Sequence, residues 1–194
     1  MYAVRWTMLG VAAVALAGCG SKTETHQTDT VVATGNAASA GSTSTSGVAA
    51  PASAGQSFAN AAAASDAFEI ASSQLAQQQA SSPAIKKFAE GMIKAHTDST
   101  AKLKSAASTA SPAITPDPTL TATQQQKLDG LKALNGTAFD EAYATAQVEA
   151  HQQTLDALKA NASNQGVPQP LRTFATQLIP TVTAHLNMAK SLAK

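Results

Sequence analysis

Residues 82–107, SPAIKKFAEGMIKAHTDSTAKLKSAA, carry the pattern that decides the fold. Ser82 is suited to cap a helix that begins at Pro83, because serine accepts hydrogen bonds from the free N–H groups and proline has none to satisfy. The following residues recur every three or four positions, as on one face of a helix: Ile85, Phe88, Met92, His96, Ser99 and Leu103. The segment predicts an amphipathic helix over about residues 83–107.

Three other segments repeat this period on either side. They predict long helices over about residues 58–80, 138–161 and 170–193. A shorter amphipathic stretch, over about residues 121–134, lies inside the long connection between the second and third long helices. The sequence therefore predicts an all-α protein with four long helices and a short extra one.

The openings of two helices favour one topology. Ile85–Ala89 opens the second long helix and Leu171–Ala175 opens the fourth, and both have the order apolar, basic, polar, aromatic, small. This echo predicts two helical hairpins joined by the long connection, which is the ferritin-like four-helix bundle. A bundle in which each helix simply reverses the one before it is the alternative.

Two local signals concern the third and fourth long helices. Thr137, with Asp140 three positions later, resembles a capping box and predicts the start of the third helix. Pro180 lies inside the fourth helix, where a proline removes a backbone hydrogen bond. We therefore expect a kink or a widened turn at Pro180.

Three histidines on the predicted stripes are the candidate functional residues. His96, His151 and His185 lie near the midpoints of the second, third and fourth long helices, and Glu69 lies near the middle of the first. At 1.5 Å per residue, the heights of Glu69, His96 and His151 agree within about 3 Å. Three imidazoles and a carboxylate at one level are suited to zinc, copper, nickel or iron.

Two methionines extend this hypothesis. Met92 is one turn before His96 and Met188 is three residues after His185, so thioether ligands for copper(I) are within reach. The alternative is that the histidines fill the core and hydrogen-bond across it.

A di-iron site is disfavoured by the neighbours of the histidines. It requires Glu-x-x-His on two helices, whereas the residues three before the histidines are Ile93, Val148 and Val182. Glu90 and Glu149 are the nearest acids, and their spacing predicts that both face away. The sequence also contains no HExxH helix, no phosphate-binding glycine loop and no nucleophile paired with a base, so no enzyme class is predicted.

The N-terminal residues predict a location. Arg5 is followed by an apolar run, Met8–Ala17, that is too short to span a bilayer. Leu16–Cys19, LAGC, resembles the lipobox of bacterial lipoproteins. We predict that residues 1–18 are a signal peptide and that Cys19, the only cysteine, carries lipid that anchors the protein to a membrane. The alternative is an ordinary signal peptide and a free thiol.

The segment after Cys19 predicts how the domain is attached. Residues 19–56 consist almost entirely of Ser, Thr, Ala, Gly and a few other polar residues, which predicts a disordered tether before a bundle domain at residues 57–194. Gly20 in place of an aspartate resembles the sorting signal for the outer membrane, so we expect the protein there, facing the periplasm. Without Arg5, 12 basic residues match 12 acidic ones, and their scatter excludes a nucleic-acid surface.

Several stretches resemble a known family. They are Ala80–Ala89 (ASSPAIKKFA), Met92–His96 (MIKAH), Phe139–Tyr143 (FDEAY) and Leu178–Leu186 (LIPTVTAHL). Together they are similar to the bacterial family called domain of unknown function 4142, whose members are often described as predicted outer-membrane or exported proteins. The resemblance covers about residues 57–193 and implies a ferritin-like four-helix fold without an established reaction.

The chain departs from this family at three positions. Members typically carry an acidic residue just before each of the three histidines, and here those positions are Ala95, Ala150 and Ala184. If such acids orient the imidazoles, this chain lacks that support. Our first hypothesis is an envelope lipoprotein whose bundle is a non-catalytic binding or stress-related module with an unknown protein partner. The second is a periplasmic protein that stores or buffers copper, zinc or iron.

Overall fold

The computed structural model describes residues 52–194, so the predicted signal peptide, Cys19 and most of the predicted tether lie outside the described residues. Five helices make up its regular structure: α1 (Ala54–Gln79), α2 (Pro83–Ser108), α3 (Ala122–Lys132), α4 (Gly136–Ser163) and α5 (Gln169–Leu192). The all-α prediction is confirmed. The largest difference is at α1, which begins at Ala54 rather than Phe58 and so includes the end of the segment predicted as a tether.

The apolar clusters show which way each helix runs. At one end of the bundle, Phe58 from the start of α1 and Leu103 from the end of α2 pack in one cluster with Leu158 of α4 and Leu171 of α5. A second cluster joins the end of α1 and the start of α2 to the start of α4. Helices α2 and α4 therefore run parallel, and the connection containing α3 spans the length of the bundle. The single-crossover topology is confirmed, and the simple alternating bundle is excluded.

A polar layer separates these two apolar clusters. It lies at the middle of the bundle and consists of buried acids, hydroxyls, an amide and imidazoles: Asp66, Glu69, Ser72, Ser73, His96, Ser99, Gln147, His151 and His185. Burying polar groups is unfavourable unless partners compensate for the lost water. The histidines are thus placed at one height by the fold, as their positions in the sequence predict.

The start of α4 differs from the prediction. The capping box at Thr137 and Asp140 is wrong, because α4 begins at Gly136 with Asn135 as its cap, and Asn135 makes no side-chain capping bond. Gly136 has a φ of +60°, which glycine adopts without strain, so Thr137 is already within the first helical turn. The only capping box among the described helices is at the start of α3, where Thr121 and Gln124 exchange hydrogen bonds.

Asp140 has a different role. Its carboxylate accepts hydrogen bonds from the backbone N–H groups of Ser81 and Ser82, at 3.1 and 2.9 Å, and from the hydroxyl of Ser81. Ser82 caps α2 as predicted, accepting from the N–H of Ile85. Asp140 therefore fastens the start of the second hairpin to the turn of the first.

The proline in α5 and the hydropathy of the helices complete the description of the fold. Pro180 lies inside α5, which continues as one helix on both sides of it. None of the helices in residues 52–194 has the length and apolar character needed to cross a membrane.

Candidate metal centre

The imidazoles of His96, His151 and His185 meet at the middle of the bundle. Their ring centroids are 5.7 Å (His96–His151), 6.0 Å (His96–His185) and 5.5 Å (His151–His185) apart, which is a nearly equilateral triangle. One ligand nitrogen from each ring lies within 4.8 Å of the other two. Helices α2, α4 and α5 thus bring together three of the four side chains that the sequence predicts as ligands.

Each of these rings has a buried nitrogen without a protein partner. The atoms are Nε2 of His96, Nε2 of His151 and Nδ1 of His185. Buried polar atoms in folded proteins nearly always bind a protein group, a water molecule or an ion. Three unpaired nitrogen atoms on three converging rings therefore indicate a site that takes a ligand from outside the chain.

The orientation of His96 is set by α1. Its Nδ1 donates a hydrogen bond to Oδ1 of Asp66 at 2.8 Å, and the hydroxyl of Thr100 donates to the other carboxylate oxygen at 3.1 Å. A carboxylate on one ring nitrogen fixes the tautomer and makes the other nitrogen a better metal ligand. Asp66 therefore leaves Nε2 of His96 as the nitrogen that is free to bind an ion.

The orientation of His151 is set within α4. Its Nδ1 donates to the carbonyl of Gln147 at 2.9 Å, so Nε2 carries the free lone pair. Glu69 lies on the same side of the ring, with Oε1 3.7 Å from Nδ1 of His151. The structure thus places Glu69 behind His151, away from Nε2, the unpaired nitrogen of that ring.

The protonation of these groups follows from burial and from their neighbours. Burial, reinforced by the nearby His96, lowers the pKa of His151 to about 3 and that of His185 to about 4. Burial also acts to lower the pKa of His96, but the hydrogen bond to Asp66 and the charges of Glu69 and Asp66 outweigh it and raise that pKa. His151 and His185 are therefore neutral at pH 7, the form that binds metal ions.

Glu69 responds to the same burial in the opposite way. Its side chain is almost completely buried, and burial raises the pKa of its carboxyl to about 7. One of its oxygen atoms, Oε2, has no hydrogen-bond partner. A positive charge placed nearby would stabilise the ionised form of Glu69.

The other predicted site residues have different positions. Met188 is 46% exposed, so it lies on the outer face of α5 rather than among the rings. Met92 is buried in α2, as its stripe predicts. Glu90 and Glu149 are exposed, as expected, and they do not belong to the site.

Asp66 is the important residue that the sequence analysis missed. Asp66 is not among the predicted site residues, yet it is only 5% exposed, whereas Ser65, one position before it, is half-buried. A signal was available, because Asp66 and Glu69 are the only charged residues of α1 and stand three positions apart. Asp66 also supplies an acid to His96 from another helix, although Ala95 stands where the family typically has one.

Comparison with known proteins agrees with the sequence motifs. A family model described as Domain of unknown function (DUF4142) matches residues 40–192. The chain belongs to the DUF4142 family. No curated protein and no solved structure matches it. The histidine triangle of this DUF4142 protein lies within the matched residues.

Proposed function

We propose that this DUF4142 protein binds a divalent transition metal ion through His96, His151 and His185, as a lipid-anchored protein of the bacterial envelope. Two observations carry the proposal: one ligand nitrogen of each ring lies within 4.8 Å of the other two, and each ring has a buried nitrogen without a protein partner. A purely structural histidine normally uses its buried nitrogen atoms in hydrogen bonds. Here one nitrogen of each ring is left for a ligand.

The distances suit a metal ion after a small contraction. Nitrogen atoms bound tetrahedrally to zinc at 2.0–2.1 Å lie about 3.4 Å apart. The ligand nitrogen atoms are within 4.8 Å of each other, so closing the site requires movements of about 1 Å, which imidazole side chains can make by small rotations.

The electrostatics favour a dication. Asp66 and Glu69 lie behind His96 and His151, and both carboxyl groups are buried. A bound dication with two neighbouring carboxylates forms a neutral group, which avoids the cost of an isolated buried charge. Placing carboxylates behind histidine ligands is the usual second layer of a metal site.

The donor atoms limit the choice of metal. Imidazole nitrogen atoms suit zinc, copper(II), nickel and iron(II), whereas copper(I) favours thiolates and thioethers. Cys19 is predicted to carry lipid, and the exposure of Met188 argues against its use as a ligand, so Met92 is the one buried thioether that the described residues offer to copper(I). Zinc, copper(II), nickel and iron(II) are therefore the candidate ions, and storage or buffering of such an ion in the envelope is the favoured role.

Metal analysis of the full-length chain tests this proposal. The protein is purified in detergent without a polyhistidine tag and loaded with zinc or copper(II). We expect one bound ion per chain, lost in His151→Gln and kept in His26→Gln, which replaces the one histidine outside the described residues. A wild-type chain without bound metal would contradict the proposal and favour the non-catalytic binding module.

The anchor is tested separately. The lipobox at Leu16–Cys19 supports lipidation, and labelling with a palmitate analogue should give a modified protein that a Cys19→Ser variant does not give. If the wild-type chain is not labelled, the lipid anchor is contradicted, whereas the proposal of metal binding still stands.

A further inference from the structure

We infer that the bound metal ion keeps one coordination position open to water or a small anion. This inference rests on the proposed function, because it concerns the coordination sphere of the ion held by His96, His151 and His185. Among residues 52–194, these three are the only His, Cys, Asp or Glu side chains that converge closely enough to hold an ion together. Three protein ligands and an exchangeable fourth position are typical of reactive zinc sites, and four protein ligands of closed structural sites.

Neither of the two nearby acids belongs to the group of converging ligand atoms, although Oε2 of Glu69 has no hydrogen-bond partner. Both oxygen atoms of Asp66 accept hydrogen bonds, one from His96 and one from Thr100. Glu69 lies beside Nδ1 of His151, the nitrogen that is already bonded to the carbonyl of Gln147. Neither carboxylate is placed to complete the coordination of the ion.

A small cavity lies next to the rings. It has a volume of about 30 Å³, and His96, His185 and Asp66 form part of its wall. A cavity needs a volume of roughly 10–15 Å³ to hold a water molecule. The cavity therefore has room for a ligand of one to three atoms beside the ion.

The cavity also adjoins a route to the surface. A groove of about 270 Å³ between α1, α3 and α4 shares Ser65 and Thr154 with the cavity. The half-buried hydroxyl groups of these two residues are hydrogen-bonded to each other at 2.9 Å, and Ala62 and Leu158 also line both spaces. Side chains that line both spaces thus place the cavity next to a surface groove.

Cobalt(II) loading followed by azide addition tests the inference. Cobalt(II) replaces zinc in such sites, and its visible d–d absorption depends on the number and kind of ligands. We expect the full-length chain to bind cobalt(II) and its spectrum to shift saturably with azide. Bound cobalt(II) with a spectrum that azide does not change would overturn the open position while leaving metal binding intact. A chain that binds no cobalt(II), zinc or copper(II) would overturn both.

A matched pair of variants locates the azide. Ala95 lines the cavity and directly precedes His96, whereas Ala184 directly precedes His185 but is exposed and does not line this cavity. We expect Ala95→Leu to bind cobalt(II) but to weaken the azide response at least tenfold, and Ala184→Leu to respond like the wild type. An equal azide response in both variants would place the anion outside this cavity and contradict the inference.

Discussion

Nδ1 of His96 donates a hydrogen bond of 2.8 Å to Oδ1 of Asp66, which joins α2 to α1 at the middle of the bundle. The pair is buried, and its two residues are 30 positions apart in the chain. It leaves Nε2 of His96 without a protein partner beside two other imidazoles, so the hydrogen bond links the packing of two helices to the proposed metal site.

Replacing Asp66 with asparagine should weaken metal binding. The amide retains the size of the side chain but removes the charge that orients His96 and strengthens it as a ligand, so we expect a loss of about 10- to 100-fold in zinc affinity, measured by chelator competition. Asp98→Asn is the control, since Asp98 is exposed and pairs with Lys94 on the same helix. Equal losses in the two variants would show that Asp66 has no special role.

Replacing His151 with leucine should separate function from stability. Without metal, the change removes a buried nitrogen that has no partner, so we expect the free energy of unfolding to stay equal or to rise. With zinc at about 1,000 times its dissociation constant, the wild type should gain about 4 kcal/mol and the variant nothing. Urea unfolding with and without zinc measures both. Strong destabilisation of the metal-free variant would instead indicate a structural histidine.

Glu69 should make the metal-free protein less stable as the pH rises. Its pKa is about 7 in the folded state and 4.5 when exposed, so between these values only the folded chain holds the proton. Raising the pH through 7 removes that proton and lowers the free energy of unfolding. In the presence of a chelator, the stability of Glu69→Gln relative to the wild type should therefore increase from pH 5 to pH 8. A constant difference would show that the carboxyl is already ionised at pH 5.

His185 should have the opposite effect in acid. Its pKa of about 4 in the folded state is below its exposed value of 6.5, so its contribution is complete above pH 6.5 and is lost as the pH falls through 4. In metal-free protein, we expect the wild type to lose roughly 1 to 3 kcal/mol more than His185→Gln between pH 7 and pH 4.5. His26→Gln should behave like the wild type. Parallel pH profiles for His185→Gln and the wild type would mean that the pKa of His185 is the same in the folded and unfolded states.

The junction between the hairpins can be tested by two alanine substitutions. Asp140→Ala removes the acceptor for the N–H groups of Ser81 and Ser82, and we expect a loss of about 1 to 2 kcal/mol in the free energy of unfolding. Thr137→Ala, at the other position of the predicted capping box, should change stability by less than about 0.5 kcal/mol because Thr137 is exposed. Similar losses in the two variants would indicate that Thr137 and Asp140 act together as the predicted capping box.

The helices and the height of the histidines could be predicted from sequence for a simple physical reason. The apolar period of a helix is local, and its rise per residue is constant, so His96 and His151 could be placed at one level without knowing any contact. The family motifs and the paired openings at Ile85 and Leu171 also indicated the two hairpins. All of these signals depend on spacing along one chain segment.

The missed features depend on rotation and on distant partners. Asp66 and Ser65 differ by one position, which is 100° around a helix with 3.6 residues per turn, and the pattern of α1 is too rich in alanine to fix its rotation. The position of Met188 was misjudged for the same reason, since its side chain is exposed rather than directed at the rings. Asp140 bonds to residues almost 60 positions away, and no local pattern encodes such a partner.

The imidazole triangle draws on both halves of the molecule, since His96 belongs to the first hairpin and His151 and His185 to the second. An ion bound to all three imidazoles would link the two hairpins. Neither hairpin could retain it alone, because neither carries all three ligands. Metal binding would then require that the two hairpins have packed together. A chain truncated before α5, or one whose hairpins had separated, would release the ion.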